Sequence, residues 1–143
     1  MMLSVKKLLT APEALVLAVD DNAMNLAVVK ALLKRTGIQV ETVPGGRECL
    51  EICGKKKYDL ILMDHMMPDL DGIETLHILR KEEGPNRDTK MLVLTANAIA
   101  GMEEQYKKEG FAGYLTKPLV GEELEAMLGM HLPEEKVQWR NAE

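Results

Sequence analysis

Carboxylates, a hydroxyl and an ammonium recur in this chain where short apolar runs stop. "LVLAV" runs into Asp20-Asp21, "LILM" into Asp64, "MLVL" into Thr95, and "GYLT" into Lys117-Pro118. A carboxylate at the end of a buried strand sits beside the core, where a charge is costly unless something compensates it. Asp64 is therefore either a capping residue or a reactive or metal-binding carboxylate on a rigid platform. If three carboxylates converge, two charges ~5 Å apart repel by about 3 kcal/mol at an effective dielectric near 20. A cation must offset that repulsion. Oxygen-only donors with no His or Cys among them suit Mg²⁺, which keeps several waters and takes one or two carboxylates plus phosphate oxygens. Lys117 supplies a further positive charge. Each element alone is ordinary: an Asp-Asp pair before a helix is often an N-cap with a dipole-favoured neighbour. Their joint occurrence at four strand ends is not.

The elements that must position these groups alternate along the chain. Strands are expected at "LVLAV", "QVETV", "LILM", "MLVLT" and "GYLT". The first is followed by a helical stripe of Met24, Ala27, Val28, Ala31 and Leu32 facing a core, stopped at Gly37. "GGRECLEICGKKK" predicts a short helix ending near Gly54. Asp71 and Glu74 stand close to a capping box for a helix through about Glu82. "EGPNRD" is a loop, "GMEEQYKKEG" a helix, and "GEELEAMLG" the last helix. Five β–α repeats with near-continuous apolar strands imply a parallel sheet covered on both faces by helices. Such sheets bind ligands outside the carboxyl ends of their strands.

The chain has 143 residues, the size of one domain, with 46% hydrophobic and 29% charged residues. A net charge of −5 argues against nonspecific binding to nucleic acid or anionic membranes. No apolar run approaches transmembrane length. Residues 1–13 read as an N-terminal linker or appended residues, 14–130 as the domain, and 131–143 as a polar tail holding the lone Trp139. Cys49 and Cys53, four apart in a helix, match neither a redox nor a zinc pattern and are expected to be reduced structural thiols. His65, His77 and His131 are scattered and read as surface or half-buried polar residues.

"VDDN", "DLILMDHMMPDLDG", "LTANA" and "GYLTKPL" closely resemble the receiver domains of two-component response regulators, and the resemblance covers roughly Ala14 to Met130. It implies an α/β, flavodoxin-like (CheY-like) doubly wound five-stranded parallel sheet of order 2-1-3-4-5, an order cited among general fold rules for this very family. It also implies roles. Asp64 is the phosphoacceptor, attacking a phosphohistidine on a histidine kinase or histidine phosphotransfer domain. Asp21, Asp64 and the Met66 carbonyl hold Mg²⁺, with Asp20 acting through a metal-bound water. Lys117 contacts the phosphoryl oxygen, and Lys117-Pro118 has a cis peptide. Thr95 and Tyr114 form the switch, and Met66 and Asn97 tune dephosphorylation. The responding surface is the fourth helix, fifth strand and fifth helix, including Ile99, Met102 and Tyr106, and it serves for a homodimer. The domain catalyses its own phosphotransfer and slow autodephosphorylation, with no direct nucleic-acid or membrane contact.

"ANAIAGMEEQYKKEGFAGYLTKPL" and "LTAPEALVLAVDDNAMN" resemble receivers at the C-terminal end of hybrid sensor histidine kinases, which implies the cytoplasmic side of a membrane and a histidine-kinase parent. A free-standing single-domain regulator is the alternative. The enzyme rival is a haloacid dehalogenase-type phosphatase, whose D-x-D-G motif "DLDG" (Asp69 to Gly72) resembles; there the first Asp ends a hydrophobic strand, whereas Asp69 follows Pro68 in a loop. A receiver-like binding module that never accepts phosphate is disfavoured by the intact Asp21, Asp64, Thr95 and Lys117 set.

Overall fold

The computed structural model describes residues 7–96 and 100–141. In chain order the elements are β1 (Lys7–Thr10), β2 (Leu15–Val19), α1 (Ala23–Leu33), β3 (Gln39–Val43), α2 (Gly46–Cys53), β4 (Leu60–Asp64), α3 (Gly72–Lys81), β5 (Met91–Thr95), α4 (Met102–Glu109), β6 (Gly113–Thr116), α5 (Gly121–His131) and β7 (Gln138–Asn141). Strands β2 to β6 form one parallel sheet in the order β3-β2-β4-β5-β6, which is the expected 2-1-3-4-5 once β1 is set aside.

Alternation along each strand splits the core in two. Val16, Ala18, Leu60, Leu62, Leu92 and Leu94 pack with Val29 and Leu33 of α1 and Leu124 and Leu128 of α5. Leu17, Val19, Ile61, Met63, Met91 and Val93 pack on the other face with Cys49 and Cys53 of α2, Leu76 and Leu79 of α3, and Tyr106 of α4. Both faces are covered, which is why these strands carry almost no polar residues. The two cysteines are free and buried, their sulfurs 3.9 Å apart.

Helix starts follow local side-chain chemistry. Asn22 Oδ1 accepts from the Met24 and Asn25 amides at 2.8 and 3.3 Å, so the chain turns into α1 right after Asp21. Asp71 and Glu74 make the reciprocal capping box of α3. Gly72 is needed for close approach, because a Cβ there would lie 2.5 Å from the Asp64 carbonyl oxygen. α1 gives way to a 3-10 turn, Lys34–Thr36, that ends at Gly37 in the left-handed region (φ 76°).

Two expectations change. α1 faces the core through Leu26, Val29 and Leu33, whereas Met24 is 71% exposed and Ala27, Val28 and Ala31 also face solvent. The helix is apolar nearly all round, so two stripes fit its sequence, and the bulkier Leu-Val-Leu set fills the space over the sheet. The second change concerns the segments without an assigned element: β1 and β7 pair antiparallel, with Leu9 opposite Trp139. Leu9 is fully buried, and its amide donates to Glu125 on α5. Glu125, buried itself, also accepts from Arg35 at 2.8 Å. Trp139 lies over Gly129 of α5.

Candidate phosphoacceptor cleft

Parallel pairing brings the ends of β2, β4, β5 and β6 to one edge. Val19 lies opposite Met63, Asp64 opposite Leu94, and Thr95 opposite Thr116. The residues that follow or close these strands line one cleft: Asp20, Asp21, Asn22, Asn25, Asp64, His65, Met66, Thr95, Ala96 and Lys117. The four groups singled out at strand ends therefore meet.

Lys117 Nζ donates to Asp64 Oδ1 at 2.8 Å and to Asp20 Oδ2 at 3.0 Å. Its backbone N–H donates to the Thr95 carbonyl at 2.8 Å, and the Lys117–Pro118 peptide is cis. Asp20 is buried and also accepts from the Asn22 amide at 2.9 Å. Asp21 is exposed. Burial pushes the Asp64 carboxyl above the ordinary aspartate value; the Lys117 hydrogen bond pulls it back, and Asp20 and Asp21 push it up again. Burial draws the Lys117 ammonium down, but its bonds to Asp64 and Asp20 outweigh that and hold it above the usual lysine value. Asp20, Asp21 and Asp64 each offer a carboxylate oxygen within 4.8 Å of the others. Three converging oxygens and a cleft open to water fit a hard divalent cation of the Mg²⁺ type.

Thr95 is buried, its Oγ1 3.1 Å from the Tyr106 hydroxyl. That hydroxyl is also 2.8 Å from His65 Nδ1. Tyr114 is half-buried, with its ring 6.2 Å from that of Tyr106. Met66 stands at the rim, 74% exposed. Asn97 and Ile99 lie outside the described residues. Tyr106 differs from expectation: it is 1% exposed, a core residue rather than part of the α4 surface, while Met102 is half-buried. The periodicity of a short, charge-rich helix does not reveal which apolar residue is driven inward. The His65–Tyr106 pairing was missed as well, since a histidine and a tyrosine 41 residues apart give no joint signal. Asp69, the first carboxylate of "DLDG", has positive φ (73°), pairs with Arg47, and is not among the residues lining the cleft.

Residues 16–129 match the family described as response regulator receiver domain. The chain belongs to that family. It is 38% identical over 121 residues to the signal transduction histidine-protein kinase BarA of Escherichia coli (strain K12), covering 82% of this chain and 13% of that protein. The receiver thus spans about an eighth of the length of that curated relative. Among solved structures it resembles chemotaxis protein CheY4 of Vibrio cholerae (34% identity, TM-score 0.75, covering 83% of this chain and 98% of that one). It also resembles the receiver domain of sensor histidine kinase PA1611 from Pseudomonas aeruginosa PAO1, determined with magnesium ion coordinated in the active-site cleft (34% identity, TM-score 0.74, 82% and 96% covered). The fold is flavodoxin-like, and the receiver's place is in phosphorelay signalling. No helix among the described residues is long and apolar enough to cross a membrane.

Proposed function

We propose that Asp64 accepts a phosphoryl group from a phosphohistidine. A carboxylate oxygen of Asp64 attacks phosphorus, the P–N bond to the donor imidazole breaks, its electron pair stays on that nitrogen, and an aspartyl phosphate forms. Lys117, already 2.8 Å from Asp64, turns its charge to the phosphoryl oxygens as they displace the carboxylate. Asp21, Asp64 and the Met66 carbonyl would hold Mg²⁺, with Asp20 reaching it through water. The ion supplies positive charge to the phosphoryl oxygens. Thr95 donates its hydroxyl to the new phosphoryl group, and Tyr114 follows that movement as the switch. Met66 and Asn97 flank the approach of water and set how long the phosphoryl group survives.

The observation that carries this reading is the buried Asp64 carboxylate bridged by Lys117 to Asp20, with Asp21 close enough to share a cation. The donor is a histidine kinase or histidine phosphotransfer domain. Exposed Val28 on α1, which shares a pocket with Asp20 and Lys117, and Met66 at the rim offer apolar surface beside the cleft, suited to docking such a partner. The parent is a hybrid sensor histidine kinase working on the cytoplasmic side of the membrane, and α4, β6 and α5 serve for a homodimer. Transfer from radiolabelled phosphohistidine proteins tests the donor class: label should move to this chain from at least one donor and not to Asp64→Asn. Label that reaches Asp64→Asn equally would contradict the assignment.

A further inference from the structure

Asn25, in the first turn of α1, lines the cleft together with the carboxylates and Lys117. Most other acceptors there are already engaged. Asp20 accepts from Lys117 and from the Asn22 amide, and Asp64 accepts from Lys117. Asp21 belongs with both in the set of oxygens that suits a cation. Asn22 Oδ1 caps α1 through the Met24 and Asn25 amides. His65 Nδ1 and Thr95 Oγ1 both meet the Tyr106 hydroxyl. The Asn25 side chain, half-buried, has no hydrogen-bond partner among the described residues. It also lines the neighbouring pocket, where Val28, Pro118 and Leu119 offer apolar surface. An uncommitted amide oxygen beside apolar surface suits a flat ring that carries one N–H.

We propose that Asn25 is a specificity-determining residue that recognises the imidazole of the phosphohistidine donor. The inference rests on the assignment of Asp64 as phosphoacceptor and names what that site reads in its substrate. In phosphohistidine one ring nitrogen carries phosphorus and the other is free to carry a proton. When the P–N bond breaks, its electron pair stays on the first nitrogen. With the second nitrogen protonated the ring departs as neutral imidazole; without that proton it would depart as an imidazolate anion, a far poorer leaving group. The Asn25 oxygen accepts from the second nitrogen's N–H and holds the ring protonated while an Asp64 oxygen bonds to phosphorus. No proton changes hands in this step. An amide suits the task better than a carboxylate: it adds no further negative charge to the cleft, and it does not take the ring's proton near neutral pH.

The test compares three small donors on the intact chain at fixed Mg²⁺ and pH: 1-phosphoimidazole, phosphoramidate, which has a P–N bond but no ring, and acetyl phosphate. Second-order rates are read by intact mass. Asn25→Leu keeps the bulk of the side chain and removes its acceptor. Its rate with 1-phosphoimidazole should fall about tenfold relative to its rates with the other two donors, the effect of one hydrogen bond to a charged group. Asn25→Gln, which retains an amide, should restore part of that ratio. An equal loss with all three donors would mark a structural or metal-site role, and an unchanged ratio would mean that the ring is not read; either overturns the proposal. So does an unaltered chain that takes phosphate from acetyl phosphate but not from 1-phosphoimidazole. Failure of the underlying site is recognised separately, because Asp64→Asn would then still be labelled.

Discussion

Three carboxylates share this cleft with one lysine. Lys117 bridges Asp20 and Asp64, while Asp21, exposed, adds its charge beside Asp64. Removing that charge should relieve the metal-free fold. Asp21→Asn is expected to raise the metal-free Tm by about 3 °C, for a gain of about 1 kcal/mol, while weakening Mg²⁺ binding; calorimetry with and without metal checks both. At the rim, Met66 is apolar and exposed, suited to excluding water rather than orienting it. Met66→Asn should speed autodephosphorylation severalfold, a change of about 1 kcal/mol in barrier, read as decay of phosphorylated protein after donor removal at fixed Mg²⁺. Convergence of Asp20, Asp21, Asp64, Thr95 and Lys117 was legible because each closes an apolar run, and parallel strands bring such ends together. The Tyr106 bonds to His65 and Thr95 were not, since α4 offers only two apolar residues among its charges and nothing in their spacing says which turns inward.

At the scale of elements, the cleft depends on how helices begin. The Asp71–Glu74 capping box starts α3 directly against the end of β4, where the Gly72 amide donates to the His65 carbonyl at 2.8 Å. Asp71→Ala should cost about 1 kcal/mol of stability by chemical denaturation. Gly72→Ala should cost more, because its methyl would overlap the Asp64 carbonyl and push the phosphoacceptor strand. The box was readable because its two members lie three residues apart. The phase of α1 was not, since Met24, Leu26, Ala27, Val28, Val29, Ala31, Leu32 and Leu33 allow more than one stripe and only packing against β2 and α5 chooses. The face left outside carries exposed Met24 and Val28, and Val28 lines a pocket together with Asp20 and Lys117.

Across the whole molecule, the five-stranded parallel sheet followed from alternating apolar runs and helical patterns, and its strand order from family resemblance. The β1–β7 pair had no comparable signal. "KLLT" and "QWRN" lack alternation, and their partnership joins opposite ends of the chain. It shields Leu9 and lays Trp139, the lone tryptophan, over α5. Truncation after Val137 should lower stability by about 2 kcal/mol, from exposing Leu9 and its neighbours, and Tm by about 6 °C, yet leave Asp64 phosphorylation intact. Thermal unfolding of the truncated chain, alongside its labelling, checks both halves of that expectation.

Asp64, set between two other carboxylates and a lysine, is the residue expected to take up phosphate. Intact-mass measurement after incubation with acetyl phosphate and Mg²⁺ tests it most directly. One added phosphate is expected on the unaltered chain, none without Mg²⁺, and none on Asp64→Asn. An unaltered chain that stays unmodified under these conditions, or an Asp64→Asn chain that gains the same mass, would contradict it.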